Sequence, residues 1–228
     1  MSIERPAMNS KISWETLCGY LRNKAVKKSG RMVGRIRRAF GMTYRSPVDE
    51  GQLFALLDGK SVALVGNAQS LSQKVQGPEI DACDVVIRCN RAPIPNVASH
   101  GARTDFIATS TELEESIMAE KGASHILWMS PPRYALPGWI VRCRGFFLYP
   151  KRRHEVLSRE VARPTTGLMV IDLLSASPCR SVLLFGFDFF KTGSISNMPT
   201  KTAIPHNGDA EESFVRTLIA KDTRFILK

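Results

Sequence analysis

The stretch IPHNGDAEES, residues 204–213, sets His206 and Glu211 in a His-x4-Glu arrangement in a chain with only 4 histidines. An imidazole with an ordinary pKa of about 6.5 suits removal of a proton from an alcohol at neutral pH. Asn207 or Asp209 can cap a helix starting near Ala210, so that His206 projects from a fixed turn. Alone, this spacing reads as a surface loop. It becomes a base only if other groups supply a substrate.

Four further stretches carry such groups. Gly66-Asn67, Asn90-Arg91-Ala92-Pro93 and Gly186-Phe187-Asp188 each follow an apolar run, and Pro164-Thr165-Thr166-Gly167 opens a helical one. Singly they read as turns and a helix cap. Together they describe a nucleotide cleft: glycines for close backbone approach, amides for a base or ribose, and free N–H groups at a helix start for an anion.

Positioning these groups requires strands that end beside them. Val62–Val65, Val85–Arg88, Asp105–Ala108, Ile126–Met129, Phe146–Tyr149 and Val182–Phe185 read as buried strands. Glu112–Ala119, Arg153–Val161, Gly167–Ser175 and Ala210–Ala220 read as helices. Alternation of this kind predicts an α/β fold with a mostly parallel sheet and helices on both faces. Ligands of such sheets bind beyond the carboxyl ends of the strands, where the polar stretches fall.

Residues 1–50 have a different texture. Trp14, Leu17, Cys18, Leu21 and Ala25, then Met32, Val33, Ile36 and Phe40, fall at helical spacing around Ser29-Gly30. Nine basic residues and no acid lie between Leu21 and Arg45. Without those nine, the net charge of +11 drops to near balance, 23 basic against 21 acidic residues. The expectation is a basic amphipathic helical appendage, 1–50, on a catalytic domain, 51–228. Residues 11–45 could meet an anionic membrane surface, pack on the body or form an oligomer contact. No aromatic ladder accompanies the charge, so no nucleic-acid partner is expected. No apolar run reaches the ~18 residues of a spanning helix. The N-terminus lacks a signal peptide's basic-then-apolar order, which predicts a cytoplasmic protein, peripheral on the inner face of a membrane if the appendage binds lipid. Cys18, Cys83, Cys89, Cys143 and Cys179 have no metal-ligand spacing and read as reduced thiols.

The order of the pieces resembles the family 29 sialyltransferases over residues 60–228. VALVGNAQSLSQKVQGPEIDACDVVIRCNRAP (62–93) is similar to the large sialyl motif, and HGARTDF (100–106) to the segment that follows it. RPTTGLMVIDLLSASPCRSVLLFGFDF (163–189) resembles the small motif, and HNGDAEE (206–212) the very short one. The resemblance implies a GT-A-like, Rossmann-type fold. It implies inverting transfer of sialic acid from CMP-sialic acid to a sugar hydroxyl without an essential metal. It assigns Gly66, Asn67 and Asn90 to the CMP; Thr165, Thr166 and Gly167 to the nucleotide or donor sugar; Gly186 and Phe187 to the cytidine pocket; and His206 and Glu211 to the base and its support.

The chain departs from the family in three places. Val62 stands where secretory members have a cysteine that pairs with the one at Cys179. The His-Tyr-rich third motif has no match between Phe190 and Pro205. Arg163 replaces a usual tyrosine, and its guanidinium could take the CMP phosphate; Lys191 and Lys201 are further candidates. The reading is a distant, bacterial-type member. Its donor is a CMP-ulosonic acid, sialic acid or Kdo, and its acceptor a glycan or glycolipid of a surface polysaccharide or lipopolysaccharide. No cofactor and no metal are expected: there is no Asp-x-Asp, and Glu79-Ile80-Asp81 is the nearest approach to one. No GxSxG elbow supports a hydrolase. His100 could line the site but reads as part of a turn, and Trp139 with 131–134 could bind acceptor or pack as a loop. The rival readings are a CMP-binding module without catalysis and a basic nucleic-acid-binding protein.

Overall fold

Runs such as SVALV and VVIRC bury almost every side chain, whichever way it points. That suits strands covered on both faces. A computed structural model of the chain describes residues 44–91, 93–130, 136–195 and 206–228. The predicted appendage, apart from its last residues, lies outside the described residues, and so do Lys201 and residues 131–134. Residues 44–133 and 137–228 form one compact unit.

In chain order this unit contains α1 (Glu50–Leu57), β1 (Ser61–Val65), a 3-10 turn (Gln69–Gln73), α2 (Gly77–Asp81), β2 (Val85–Cys89) and α3 (Val97–His100). Next come β3 (Phe106–Thr109), α4 (Ile117–Lys121), β4 (His125–Trp128), α5 (Gly138–Arg142) and β5 (Phe146–Leu148). The chain ends with α6 (Lys151–Val161), α7 (Thr166–Ser175), β6 (Ser181–Phe185), α8 (Gly208–Lys221) and β7 (Phe225–Leu227). The seven strands lie in the order β5-β4-β3-β2-β1-β6-β7. Every pairing is parallel, with Val62 beside both Val85 and Val182. The sheet grows outward from β1 to β5, then returns to add β6 on the other side of β1. The strand order therefore reverses at β1, and the crevice beyond β1 and β6 is the switch point where ligands bind in such sheets.

Both faces are covered, as alternating strand residues demand. Val62 and Leu64 join a cluster with Leu53 and Leu57 of α1, Leu157 and Val161 of α6, much of α7, and Val215 of α8. Ala63 and Val65 face Leu71 and Ile80 on the other side, and Ile107 packs with Ile117 of α4 and Trp139 of α5. Helix α7 is buried along nearly its whole length, which fixes its first turn rigidly against the sheet.

The helix expected over Glu112–Ala119 begins only at Ile117. The Leu113 carbonyl accepts the Trp139 indole N–H at 3.0 Å, and Leu113 itself is buried, so this stretch is anchored to the core at Leu113 while its neighbours stay exposed. Trp139 is partly buried against this cluster, and its indole N–H is taken by Leu113.

Candidate active site

With all strands parallel, the segments after β1, β2, β3 and β6 lie along one edge of the sheet, and hydrogen bonds tie them together. Asn67 donates its side-chain N–H to the Cys89 carbonyl at 3.3 Å, joining the loop after β1 to the end of β2. Asn90 sits at φ 58, a left-handed position that asparagine tolerates, and its N–H reaches the Ala108 carbonyl at 2.7 Å. The Thr166 hydroxyl donates to Ser110 Oγ at 2.8 Å and approaches Asn90 Oδ1 at 3.4 Å. Asn67, Asn90 and Thr166 thus meet at one place.

Gly66 and Gly167 are glycines because of Phe187. A Cβ on Gly66 would lie 2.5 Å from the Gly186 carbonyl oxygen and 3.2 Å from the Phe187 ring. A Cβ on Gly167 would lie 2.6 Å from the same ring. Phe187 is therefore wedged between the loop after β1 and the first turn of α7. Gly186, at φ 67, makes the sharp turn that puts it there.

The start of α7 has four backbone N–H groups with no helical partner, as any helix start does. Glu211 accepts the Thr165 N–H at 2.8 Å, and Thr165 Oγ1 accepts that of Leu168 at 3.1 Å. The two between them, on Thr166 and Gly167, bond to no acceptor among the described residues. Two adjacent free amides at the positive end of a buried helix form a seat for an anion. Ser110, whose hydroxyl proton is left over once its oxygen has accepted from Thr166, stands beside them.

Glu211 is 5% exposed and touches the seat from behind. Its second oxygen accepts the Thr165 hydroxyl at 2.8 Å, so one carboxylate takes both donors of one residue. Burial pushes its pKa up to about 7, against the opposing pull of the two Thr165 bonds. Through Glu211, helix α8 is tied to the cap of α7.

His206 sits one residue before the α8 cap, Asn207, whose side chain accepts from the Ala210 N–H at 3.1 Å. Its Nδ1 lies 2.8 Å from the Arg163 carbonyl. A carbonyl can only accept, so Nδ1 carries the proton and Nε2 keeps the lone pair. One face of the ring stacks on Phe190, with centroids 6.2 Å apart and planes inclined by 6°. The side chain of Arg163 is exposed and forms no ion pair among the described residues.

Other candidates fall elsewhere. Lys191 is held by Glu212 at 2.8 Å. His100 is fully buried, and its carbonyl accepts from Arg88 at 2.7 Å. In the segment HGARTDF the Ala102 and Arg103 amides bind the Asp81 carboxylate, and the Arg103 guanidinium caps the carbonyls of Asp81 and Cys83; it stabilises the chain before β3. Ser110 and Phe190 are not marked by the sequence reading, which names Asp188 only as part of the stretch after β6. Asp188 binds Ser70 and Thr192 and so fastens the loop after β6 to the loop after β1. The position after a strand could have identified Ser110. Nothing in the sequence marks Phe190. Among the described residues no cluster of three or more His, Cys, Asp or Glu side chains could hold a metal ion.

Residues 54–129 match the model of glycosyltransferase family 29 (sialyltransferase). A mammalian sialyltransferase, crystallised in complex with Gal-beta-1-3GalNAc-ortho-nitrophenol, superposes with a TM-score of 0.58 at 19% identity, over 96% of this chain and 87% of that one. A second crystal structure of a mammalian sialyltransferase gives 0.59 at 20% identity, over 96% and 87%. A point variant of the sialyltransferase CST-II in complex with CMP gives 0.52 at 14% identity, over 74% and 80%.

Proposed function

We propose that this chain is a glycosyltransferase of the sialyltransferase type, as the match of residues 54–129 to family 29 supports, and that it moves a ulosonic acid, sialic acid or Kdo, from its CMP ester to a glycan hydroxyl, with inversion and without a metal, in building a surface polysaccharide or lipopolysaccharide. One observation carries the reading: a histidine with its proton fixed on Nδ1 stands on the same strand-end edge as two helix-start amides that bond to no acceptor among the described residues.

The phosphate of the donor takes the Thr166 and Gly167 amides, with the Ser110 hydroxyl beside them and the Arg163 guanidinium within the same turn of chain. Cytidine takes the Asn67 and Asn90 amides and the wall made by Gly66, Gly186 and Phe187. The acceptor hydroxyl attacks the anomeric carbon from the side opposite the phosphate. As the new C–O bond forms and the C–O bond to phosphate breaks, the hydroxyl proton passes to His206 Nε2, and CMP leaves with the bonding electrons. Positive charge then gathers on an imidazole whose Nδ1–H already rests on a carbonyl, which lowers the barrier by electrostatic preorganisation. Amides and a guanidinium neutralise the leaving phosphate, the part a divalent ion plays in enzymes that carry Asp-x-Asp. The basic stretch 11–45 would hold the enzyme on the anionic inner face of a membrane.

Incubation with a panel of CMP-sugars and nucleotide diphosphate sugars tests this directly. CMP release from a CMP-ulosonate, unaffected by EDTA and bound to anionic vesicles only at low salt, is expected. His206→Ala should keep CMP affinity and lose roughly 10²- to 10⁴-fold in turnover, the range of general base catalysis. Turnover of a UDP- or GDP-sugar in place of the CMP ester would overturn the proposal.

A further inference from the structure

Among the described residues, four that are not glycine have positive φ: Asn90 at 58°, Ala162 at 57°, Phe189 at 55° and Phe190 at 68°. All four border the site, and three of them surround His206. Asparagine tolerates such a backbone, but alanine and phenylalanine hold it at roughly 1–2 kcal/mol each. Strain of this kind persists only where the surroundings over-determine it, and it gathers at functional sites.

Each strained turn touches the imidazole in a different way. Ala162, at φ 57 and ψ −67, ends α6, and the Arg163 N–H returns to the Val161 carbonyl at 2.7 Å. This is a γ-turn of the rare, strained form. Its product is the direction of the next carbonyl, that of Arg163, which receives His206 Nδ1–H. On the other side, Phe189 and Phe190 form two successive left-handed residues. Gly208 closes on them so tightly that an added Cβ would lie 2.6 Å from the Phe189 carbonyl oxygen and 3.1 Å from the Phe190 ring. That ring then lies parallel to the imidazole.

Ala162 is exposed and Phe190 only partly buried, and among the described residues Phe190, unlike Phe187 and Phe189, is not packed on the main core cluster. Glycine would adopt both turns without strain but would supply no ring at 190 and a looser chain at 162.

We infer that the two turns act as a frame for His206, with Ala162 and Phe190 as positioning residues that fix its tautomer and the plane of its ring. The inference rests on His206 being the base of the proposed reaction. The frame holds Nδ1–H on a carbonyl in the free enzyme, so Nε2 meets the acceptor hydroxyl without a reorientation step, an effect large enough to matter because misplacement of ~1 Å can lower a rate by about 10²-fold.

The test uses the full chain with ¹⁵N-labelled histidine. The His206 signals are assigned by their loss in His206→Gln, and turnover with the CMP-ulosonate is measured alongside. The wild-type ring should show a protonated Nδ1 and an unprotonated Nε2. Phe190→Ala should lose that fixed tautomer and about tenfold in kcat, with KM for the donor and CMP affinity unchanged; Phe190→Tyr, which restores a ring, should recover both. Ala162→Val, at an exposed site but intolerant of positive φ, should behave like Phe190→Ala. Ala162→Gly, which adopts the turn without strain but loosens it, should keep the tautomer and lose less in kcat than Ala162→Val. A wild-type ring protonated on Nε2, or a Phe190→Ala ring indistinguishable from wild type, overturns the frame. A fixed tautomer in a protein that turns over no CMP-sugar leaves the frame standing and removes the proposed reaction instead.

Discussion

The two edges of the sheet are built by opposite rules. Before the strands, several charged groups find partners within the chain, although Gln76 Oε1, His100 Nε2 and Arg88 Nη1 are buried there without one among the described residues. Asp84 accepts the Ser61 N–H and hydroxyl, both at 2.8 Å, and pairs with Arg180. Asp81 takes the Ala102 and Arg103 amides. Arg224, held by Asp222, donates to the carbonyls of Ser175 and Ser177 and so closes the end of α7. Beyond the strands, among the described residues, the opposite end of α7 keeps two amides open, Arg163 has no ion pair, and the non-glycine positive-φ residues gather. Satisfied donors and relaxed backbone hold a fold together; open donors and strained backbone are what a ligand and a reaction need. One helix displays both rules, capped by a cation at its last turn and open to an anion at its first.

The contrast breaks first at Gly66. Its nearest neighbour is the Gly186 carbonyl, backbone that directly follows β6 and cannot retreat without moving the end of a central strand. Gly66→Ala should lose roughly 1–3 kcal/mol in denaturant unfolding, the range for overpacking, and CMP binding with it. Gly167→Ala meets a side chain instead, which can turn aside. It should keep most of the stability and weaken CMP binding by displacing Phe187, as calorimetry would show. Equal losses of stability in the two variants would mean that Phe187 is as fixed as the backbone.

Glu211 sharpens the contrast through pH. Its folded pKa, about 7, lies above the ordinary value of 4.5. The folded state therefore binds the proton more tightly than the unfolded chain, so the contribution to stability is complete below pH 4.5 and disappears as pH rises through 7. The difference amounts to about 3 kcal/mol. Glu211→Gln, which can accept the Thr165 N–H and donate to its hydroxyl, should remove this fall. Melting curves at pH 5 and pH 7.5 compare the two proteins; a parallel fall in both would show that the carboxyl is not the titrating group.

Much of this was legible in the sequence, for a definable reason. Buried parallel strands need apolar runs, so six of the seven were read within about a residue of their ends. The residues after them are polar because they face the crevice, which exposed Asn67, Asn90, Gly186 and the Thr165–Gly167 turn. β7 escaped because Phe225–Leu227 is only 3 residues long and set between Arg224 and Lys228, whereas β5, equally short, stands in the longer apolar run Phe146–Tyr149. The late start of α4 escaped because it depends on a bond between Leu113 and Trp139, 26 residues apart. The frame around His206 escaped for the same kind of reason. Phe189-Phe190 looks like core in sequence, and only the approach of Gly208, nearly twenty residues on, forces the pair into the left-handed region. Ser110 was within reach of the rule that found the others.

The weakest expected effect is at Arg180. Its side chain is 66% exposed, and the Asp84 carboxylate it meets at 3.1 Å still holds both Ser61 donors without it. Those Ser61 bonds, the backbone one foremost, hold the Asp84 pKa below its ordinary value, with Arg180 a lesser cause. Exposed pairs of this kind are screened by water and salt. Arg180→Ala should accordingly leave the melting temperature, its salt dependence and CMP affinity at wild-type values. A clear drop in melting temperature that deepens at low salt would show that the amino edge relies on the ion pair itself, and that its stability does not come from backbone donors already satisfied. A change in CMP affinity would go further, since it would mean that the two edges are coupled along β6 and not independent.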